Sequence, residues 1–132
     1  MNPTDPFFCE IVDTLAEIEY WLSGRAGNDA LAPLLARFAD AFSMISLSGD
    51  ALDRAQIERF FRAGFGARPG LRIAIDEVRP LCAWDGGAAL AYREIQTHGA
   101  GEPDVRRSTV VFERDDAGRI RWLRLHETAA TP

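Results

Sequence analysis

The residues of this chain best suited to chemistry are two carboxylates, Glu94 and Glu127, one guanidinium, Arg106, and two hydroxyls, Tyr92 and Ser108. Their spacing groups them. In ALAYREIQ, Leu90, Tyr92, Glu94 and Gln96 fall at every second position and share one face of an extended strand. In VRRSTVVFERDDAGRIRWLRLHET, two β-rich runs fold about Asp115-Asp116-Ala117-Gly118. A turn centred there sets Phe112 opposite Arg121, Val110 opposite Leu123, Ser108 opposite Leu125 and Arg106 opposite Glu127. The face they make is apolar at its middle and charged at one end. Two carboxylates at the edge of an apolar hollow can hold separated pKa values and act as acid and base, while an arginine beside them can orient an anion. An Arg–Glu pair across strands is more often a structural ion pair, which perturbs pKa values without doing chemistry.

A sheet with such a face needs a cover, and the helical patterns all lie in the first half of the chain. Asp5-Pro6 starts a helix, since Asp caps free N–H groups and Pro suits the first helical position. Phe8, Ile11, Leu15, Ile18 and Leu22 give it one apolar stripe, with Trp21 and Tyr20 beside or off that stripe. A short helix follows over Leu31, Leu34, Leu35 and Phe38, then a strand from Phe42 to Leu47. A third helix begins at Asp53-Arg54-Ala55-Gln56, a reciprocal capping pattern, with Ile57, Phe60 and Phe61 inward. From Leu71 the period becomes two, with an irregularity at Pro80 and a tight turn at Asp85-Gly86-Gly87. Three helices, a short strand and a four-stranded antiparallel meander predict one α+β domain over residues 1–132.

Composition narrows the classes. A chain of 132 residues, 47% of them hydrophobic, can build a core without disulfides or metal. A net charge of −5 argues against nucleic acid as partner. All 15 basic residues are arginine, which fits a GC-rich coding bias and leaves room for planar anion recognition. No apolar run approaches the ~20 residues of a membrane span, and MNPTDPFF lacks the basic start of an export signal, so a cytoplasmic protein is expected. Cys9 and Cys82 read as reduced, buried thiols. With only His98 and His126 beside them, no metal-ligand spacing exists, and neither a metal nor a cofactor is expected.

The order of elements, with RFADAFSMISLSG, DRAQIERFF, YREIQ and RRSTVVFERDDAGRIRWLRLHET, resembles the nuclear transport factor 2-like superfamily. That superfamily includes ketosteroid isomerase, scytalone dehydratase and SnoaL-like cyclases; the likeness is strongest to an uncharacterised bacterial branch near the SnoaL-like group. The resemblance implies a cone-shaped barrel formed by a strongly bent antiparallel sheet, with the helices on its concave face and a cavity between them. It places Ser46 where the isomerase has its carboxylate base, Val110 near its protonated acid, and Met44-Ile45-Ser46 where SnoaL-like cyclases carry His-Asp-Pro. Those two chemistries are therefore disfavoured. The expected ligand site comprises Tyr92, Arg106, Ser108, Trp21, Phe42, Phe61 and Leu125, with Glu127 and Glu94 as candidate catalytic groups. Its ligand would be a compact organic molecule, preferably an anion. Two alternatives stand beside a binding domain: a SnoaL-like isomerase-, cyclase- or dehydratase-type enzyme using a pocket carboxylate as general base, and a non-catalytic dimeric interaction module. The convex sheet face, carrying Trp122, Arg124, Val111 and His126, is the expected homodimer surface.

Overall fold

The computed structural model describes Asn2 and residues 4–132. Helix α1 spans Pro6–Leu22 and starts where expected: the Asp5 carboxylate accepts from the backbone N–H groups of Phe7 and Phe8, at 2.8 and 3.3 Å. Its buried side chains are Phe7, Ile11, Thr14, Leu15, Trp21 and Leu22, so the stripe begins at Phe7 and not at Phe8. A single 3-10 turn, Asn28–Ala30, leads into the short helix α2, Leu31–Leu35. Strand β1, Phe38–Ile45, starts four residues earlier than the sequence pattern suggested, and Phe38 belongs to it and not to α2. A three-residue strand β2, Ala51–Asp53, was not foreseen. Helix α3, Arg54–Gly64, carries both hydrogen bonds of the Asp53–Gln56 capping box, each 2.9 Å.

Strands β3 (Leu71–Trp84), β4 (Gly87–His98), β5 (Asp104–Arg114) and β6 (Ile120–Ala130) form the antiparallel meander. β1 joins β6 in parallel and β2 joins β1, giving one curved, unclosed sheet in the order β2-β1-β6-β5-β4-β3. The long edge strand β3 breaks register twice, between Asp76 and Arg79 and between Pro80 and Cys82, and Glu77 adopts a positive φ of 51° at the first break. Both breaks suit an edge strand, where an unpaired backbone group can reach water. Cys82 lies exposed on this edge, contrary to the expectation of a buried thiol, and Cys9 is half-buried. Gly87 is required where β4 meets β5, because a Cβ there would lie 2.1 Å from the Phe112 carbonyl oxygen.

The core fills one end of the space between sheet and helices. Phe112 and Trp122 pack edge to face at 5.0 Å, with Phe7 stacked on Phe112 at 5.7 Å and Phe38 against Trp122 at 6.0 Å. Trp122 is 1% exposed and donates its indole N–H to the Thr14 hydroxyl at 3.0 Å. Thr14 donates in turn to Glu10, which together with Glu17 holds Arg37. This network locks α1 to the start of β1 and to β6.

Trp122 was expected on the convex face, and its burial is a correction with a definite cause. The last hairpin closes with Arg114 opposite Ile120, so the loop runs through Arg119 and one residue more than assumed. Asp115 holds it, accepting from the N–H groups of Ala117 and Arg119. That single step places Trp122 opposite Phe112, inside. A bulge at Leu123 then adds a second step, so that Val110 faces Leu125, Ser108 faces Glu127 and Arg106 faces Ala129. Two one-residue steps restore the original faces beyond the bulge. Leu125 and Glu127 therefore point inward as expected, with Trp122 replacing Leu123 as their apolar neighbour.

Candidate functional site

Beyond the packed aromatic end, sheet and helices enclose a cavity of about 370 Å³. Compact ligand sites occupy roughly 300–1,000 Å³. Strict alternation along β4 turns Tyr92, Glu94 and Gln96 into it, with Leu90 of the same face in the packed core, and β5 contributes Arg106. β6 supplies Leu125 and Glu127 past its bulge. Phe38, Phe42 and Met44 of β1 and Ile57 and Phe61 of α3 make the apolar wall. Thr14, Leu15, Ile18 and Leu22 of α1 form its roof.

The polar groups cluster at one end. Tyr92 and Ser108 are cross-strand partners, as are Glu94 and Arg106 in the next inward pair. Arg106 binds Asp104 at 2.6 Å and reaches Glu127 diagonally at 3.5 Å. Glu94, 3% exposed, accepts a 2.6 Å hydrogen bond from the Gln96 amide, whose oxygen accepts from Arg68 at 2.7 Å. Burial pushes the Glu94 carboxyl above its ordinary value. The Gln96 hydrogen bond and the Arg106 charge oppose that rise, and the charges of Glu127 and Asp104 add to it. Burial likewise raises Glu127, against the pull of Arg106. Glu94 is the more deeply enclosed of the two. Burial, reinforced by Glu94 and Glu127, lifts the Tyr92 phenol well above its usual range, with Ser108 and Arg106 pulling weakly the other way; Tyr92 therefore stays a hydrogen-bond donor. Arg106 remains charged, because burial, which lowers its pKa, is outweighed by Glu127, Glu94 and Asp104.

Three buried donors here have no well-aligned hydrogen bond to another protein group: the Tyr92 hydroxyl, the Ser108 hydroxyl and the Arg106 Nε. Arg106 Nε keeps its place in the cluster through the ion pairs of its other nitrogens.

Of the expected ligand-site residues, Tyr92, Arg106, Phe42, Phe61 and Leu125 line the cavity with Glu94 and Glu127. Trp21 does not. Its indole donates to the Phe61 carbonyl at 2.7 Å and packs on Phe65 at 4.7 Å, fastening α1 to α3 behind the wall. Ser108 is buried at 3% and reaches the site through Tyr92. Its residue also borders a shallow groove on the other sheet face, shared with Glu77, Arg79, Arg107 and His126. His126 is thus outward, and Ser46 sits at the cavity margin, hydrogen-bonded to Ser48. Phe60, expected inward, is 55% exposed at that margin. Arg68 was missed: in the turn GARPG an arginine reads as a solvated loop residue, and only the return of the chain past β4 brings it to Gln96.

No protein-family model matches the chain, and no curated protein matches it significantly. Among solved structures, an NTF-2-like protein of unknown function from Pseudomonas aeruginosa is 46% identical, with a TM-score of 0.91 over 95% of this chain and 98% of that one. A proposed calcium/calmodulin-dependent protein kinase type II association domain from Thiobacillus denitrificans is 21% identical, with a TM-score of 0.74 over 96% and 95% of the two chains. A proposed scytalone dehydratase from Novosphingobium aromaticivorans is 11% identical, with a TM-score of 0.70 over 95% and 85%. The latter two share the fold alone. Identity carried over almost the whole length of both chains, on the same arrangement of helices and curved sheet, shows that this chain belongs to the NTF2-like family.

Proposed function

We propose that the cavity binds a compact, largely apolar small molecule whose polar end meets Tyr92, Glu94, Arg106 and Glu127. The observation that carries this reading is the joining of an aromatic-walled cavity of about 370 Å³ to a cluster of buried ionisable groups. A purely structural core would be closed by side chains, and replacing buried charges by apolar residues is often neutral or stabilising. A space left open beside two carboxylates held at a cost fits a ligand better than it fits a filled interaction module.

A thermal-shift screen against a few hundred acids, ketones and aromatic compounds, run in parallel on Glu127→Gln, tests this. Ligand at ~100 times its dissociation constant adds about 2.7 kcal/mol, a rise of several degrees for a domain of this size. Hits on the parent that weaken in the variant are expected. A flat screen on folded protein would set the binding reading aside in favour of an interaction module.

A second reading has its own support. Two carboxyls raised by burial, next to a guanidinium, have the properties of a general acid or base, and either Glu127 or Glu94 could move a proton beside a carbonyl. Exchange of the ligand's α-hydrogens for deuterium, faster with protein and lost in Glu127→Gln or Glu94→Gln, would distinguish an enzyme from a binder.

A further inference from the structure

Resting on the binding reading above, the geometry points to an uncharged carbonyl compound as the ligand, its oxygen received by the Tyr92 hydroxyl, which lines the cavity with Ser108 behind it. Tyr92 and Ser108 are 2% and 3% exposed, and beyond their contact with each other neither hydroxyl has a well-aligned partner among the described residues. A buried hydroxyl without a partner forfeits the hydrogen bonds it had in water, so such groups are rare unless something outside the protein completes them. The two hydroxyls stand on directly paired positions of β4 and β5. When Ser108 donates to Tyr92, the phenol proton stays free to give to a ligand in the cavity. Arg106 Nε, one inward pair further along, is a third unmet donor. What these donors lack is a well-aligned acceptor.

The charge around it selects the kind of acceptor. Glu94, Glu127 and Asp104 confront Arg106, whose Nη atoms are already engaged by Asp104 and Glu127. The remaining guanidinium at the cavity, Arg68, is bound to the neutral Gln96 amide. A carboxylate placed at Tyr92 would face Glu94 and Glu127 with no free counter-charge at contact distance, and like charges in a low-dielectric site repel strongly. A ketone, aldehyde, ester or amide oxygen accepts hydrogen bonds without adding charge. The ligand's hydrocarbon part then lies against Phe42, Phe61 and Leu125. The site expected from sequence to prefer an anion is thus proposed to take a neutral acceptor.

Three probes on one skeleton test the assignment: 1-tetralone, tetralin and tetralin-1-carboxylate, titrated into the wild-type protein, Tyr92→Phe and Ser108→Ala and followed by NMR. Tetralone is expected to bind about tenfold more tightly than tetralin, the worth of one good buried hydrogen bond, and more tightly than the carboxylate. In Tyr92→Phe the ketone should fall to the hydrocarbon's affinity while tetralin keeps its own. The infrared carbonyl stretch of bound tetralone should sit at lower frequency in the wild type than in the variant. In Ser108→Ala, which keeps the Tyr92 hydroxyl, the preference for the ketone should persist. Should Tyr92→Phe not fold, the carbonyl stretch of tetralone bound to the wild type, set against tetralone in cyclohexane, carries the comparison. Equal binding of tetralone and tetralin would overturn the acceptor site and leave the apolar cavity reading intact, as would tightest binding of the carboxylate. Binding of none of the three would overturn the cavity reading itself.

Discussion

Glu94 concentrates the tension in this molecule: a carboxyl 3% exposed, with one neutral hydrogen bond from Gln96 and, among the described residues, no ion pair at contact distance. Its folded-state pKa and that of Glu127 lie above the ordinary 4.5, chiefly through burial. Between that value and the raised one the folded chain holds more protons than the unfolded chain, so these two groups make stability fall as pH rises through the window. Glu94→Gln keeps the shape and an acceptor for Gln96 but removes the charge. It is expected to be more stable than the parent by about 1 kcal/mol at pH ~8, with the gap closing by pH ~4, in denaturant melts at both. A gap that does not change with pH would mean that the Glu94 charge is fully compensated and would remove it as a tunable acid or base. The exposed carboxylates Glu58, Asp76 and Asp115 are shifted the opposite way, each led by a hydrogen bond, from Arg62, Arg93 and the Arg119 N–H respectively. The comparison with the variant isolates Glu94 from them.

Among the elements, α1 is the one that most of the interior depends on, held to α3 through Trp21 and to β6 through Thr14 and Trp122. Trp21 was legible as an aromatic beside the apolar stripe, but whether it faced the cavity or the next helix depended on how α3 packs. Trp21→Phe is expected to cost about 1–2 kcal/mol in denaturant melts through the lost hydrogen bond to Phe61, while affinity for a cavity ligand stays within about twofold. A larger loss of affinity would return Trp21 to the site. The β6 bulge shows the same dependence. Alternation in RIRWLRLHE changes phase between Trp122 and Leu123, with Ile120 and Trp122 at one parity and Leu123 and Leu125 at the other, and the pairing with β5 resolves that change as a bulge at Leu123. The assumed turn was one residue short and the bulge was unseen, and the two errors cancelled at Leu125 and Glu127 but not at Trp122.

For the whole molecule, the sheet divides two environments. One face holds the core and the cavity; the other bears a groove lined by Glu77, Arg79, Arg107 and His126. A surface carrying both charge signs suits pairing with a second copy, since a two-fold axis can set acids against arginines. The chain is expected to sediment at twice its 14.6 kDa at about 10 µM, and Arg79→Glu to weaken that association by tenfold or more. A monomer at that concentration would rule out this surface as a strong homodimer contact. No helix among the described residues is long and apolar enough to cross a membrane.

The sequence by itself determined the class of fold, the caps of α1 and α3, the tight turn before β4 and the inward face of β4, because each rests on interactions a few residues apart. Asp5 reaches Phe7, Asp53 reaches Gln56, and a period of two separates Tyr92, Glu94 and Gln96. Only the tertiary structure decided that Trp122 is core, that Trp21 serves α3, and that Arg68 joins Gln96 across 28 residues of chain. It also left the Tyr92 hydroxyl buried beside Ser108 without a well-aligned partner among the described residues. These follow from loop length, bulge and packing, where one residue of register exchanges inside for outside and no local propensity records the choice.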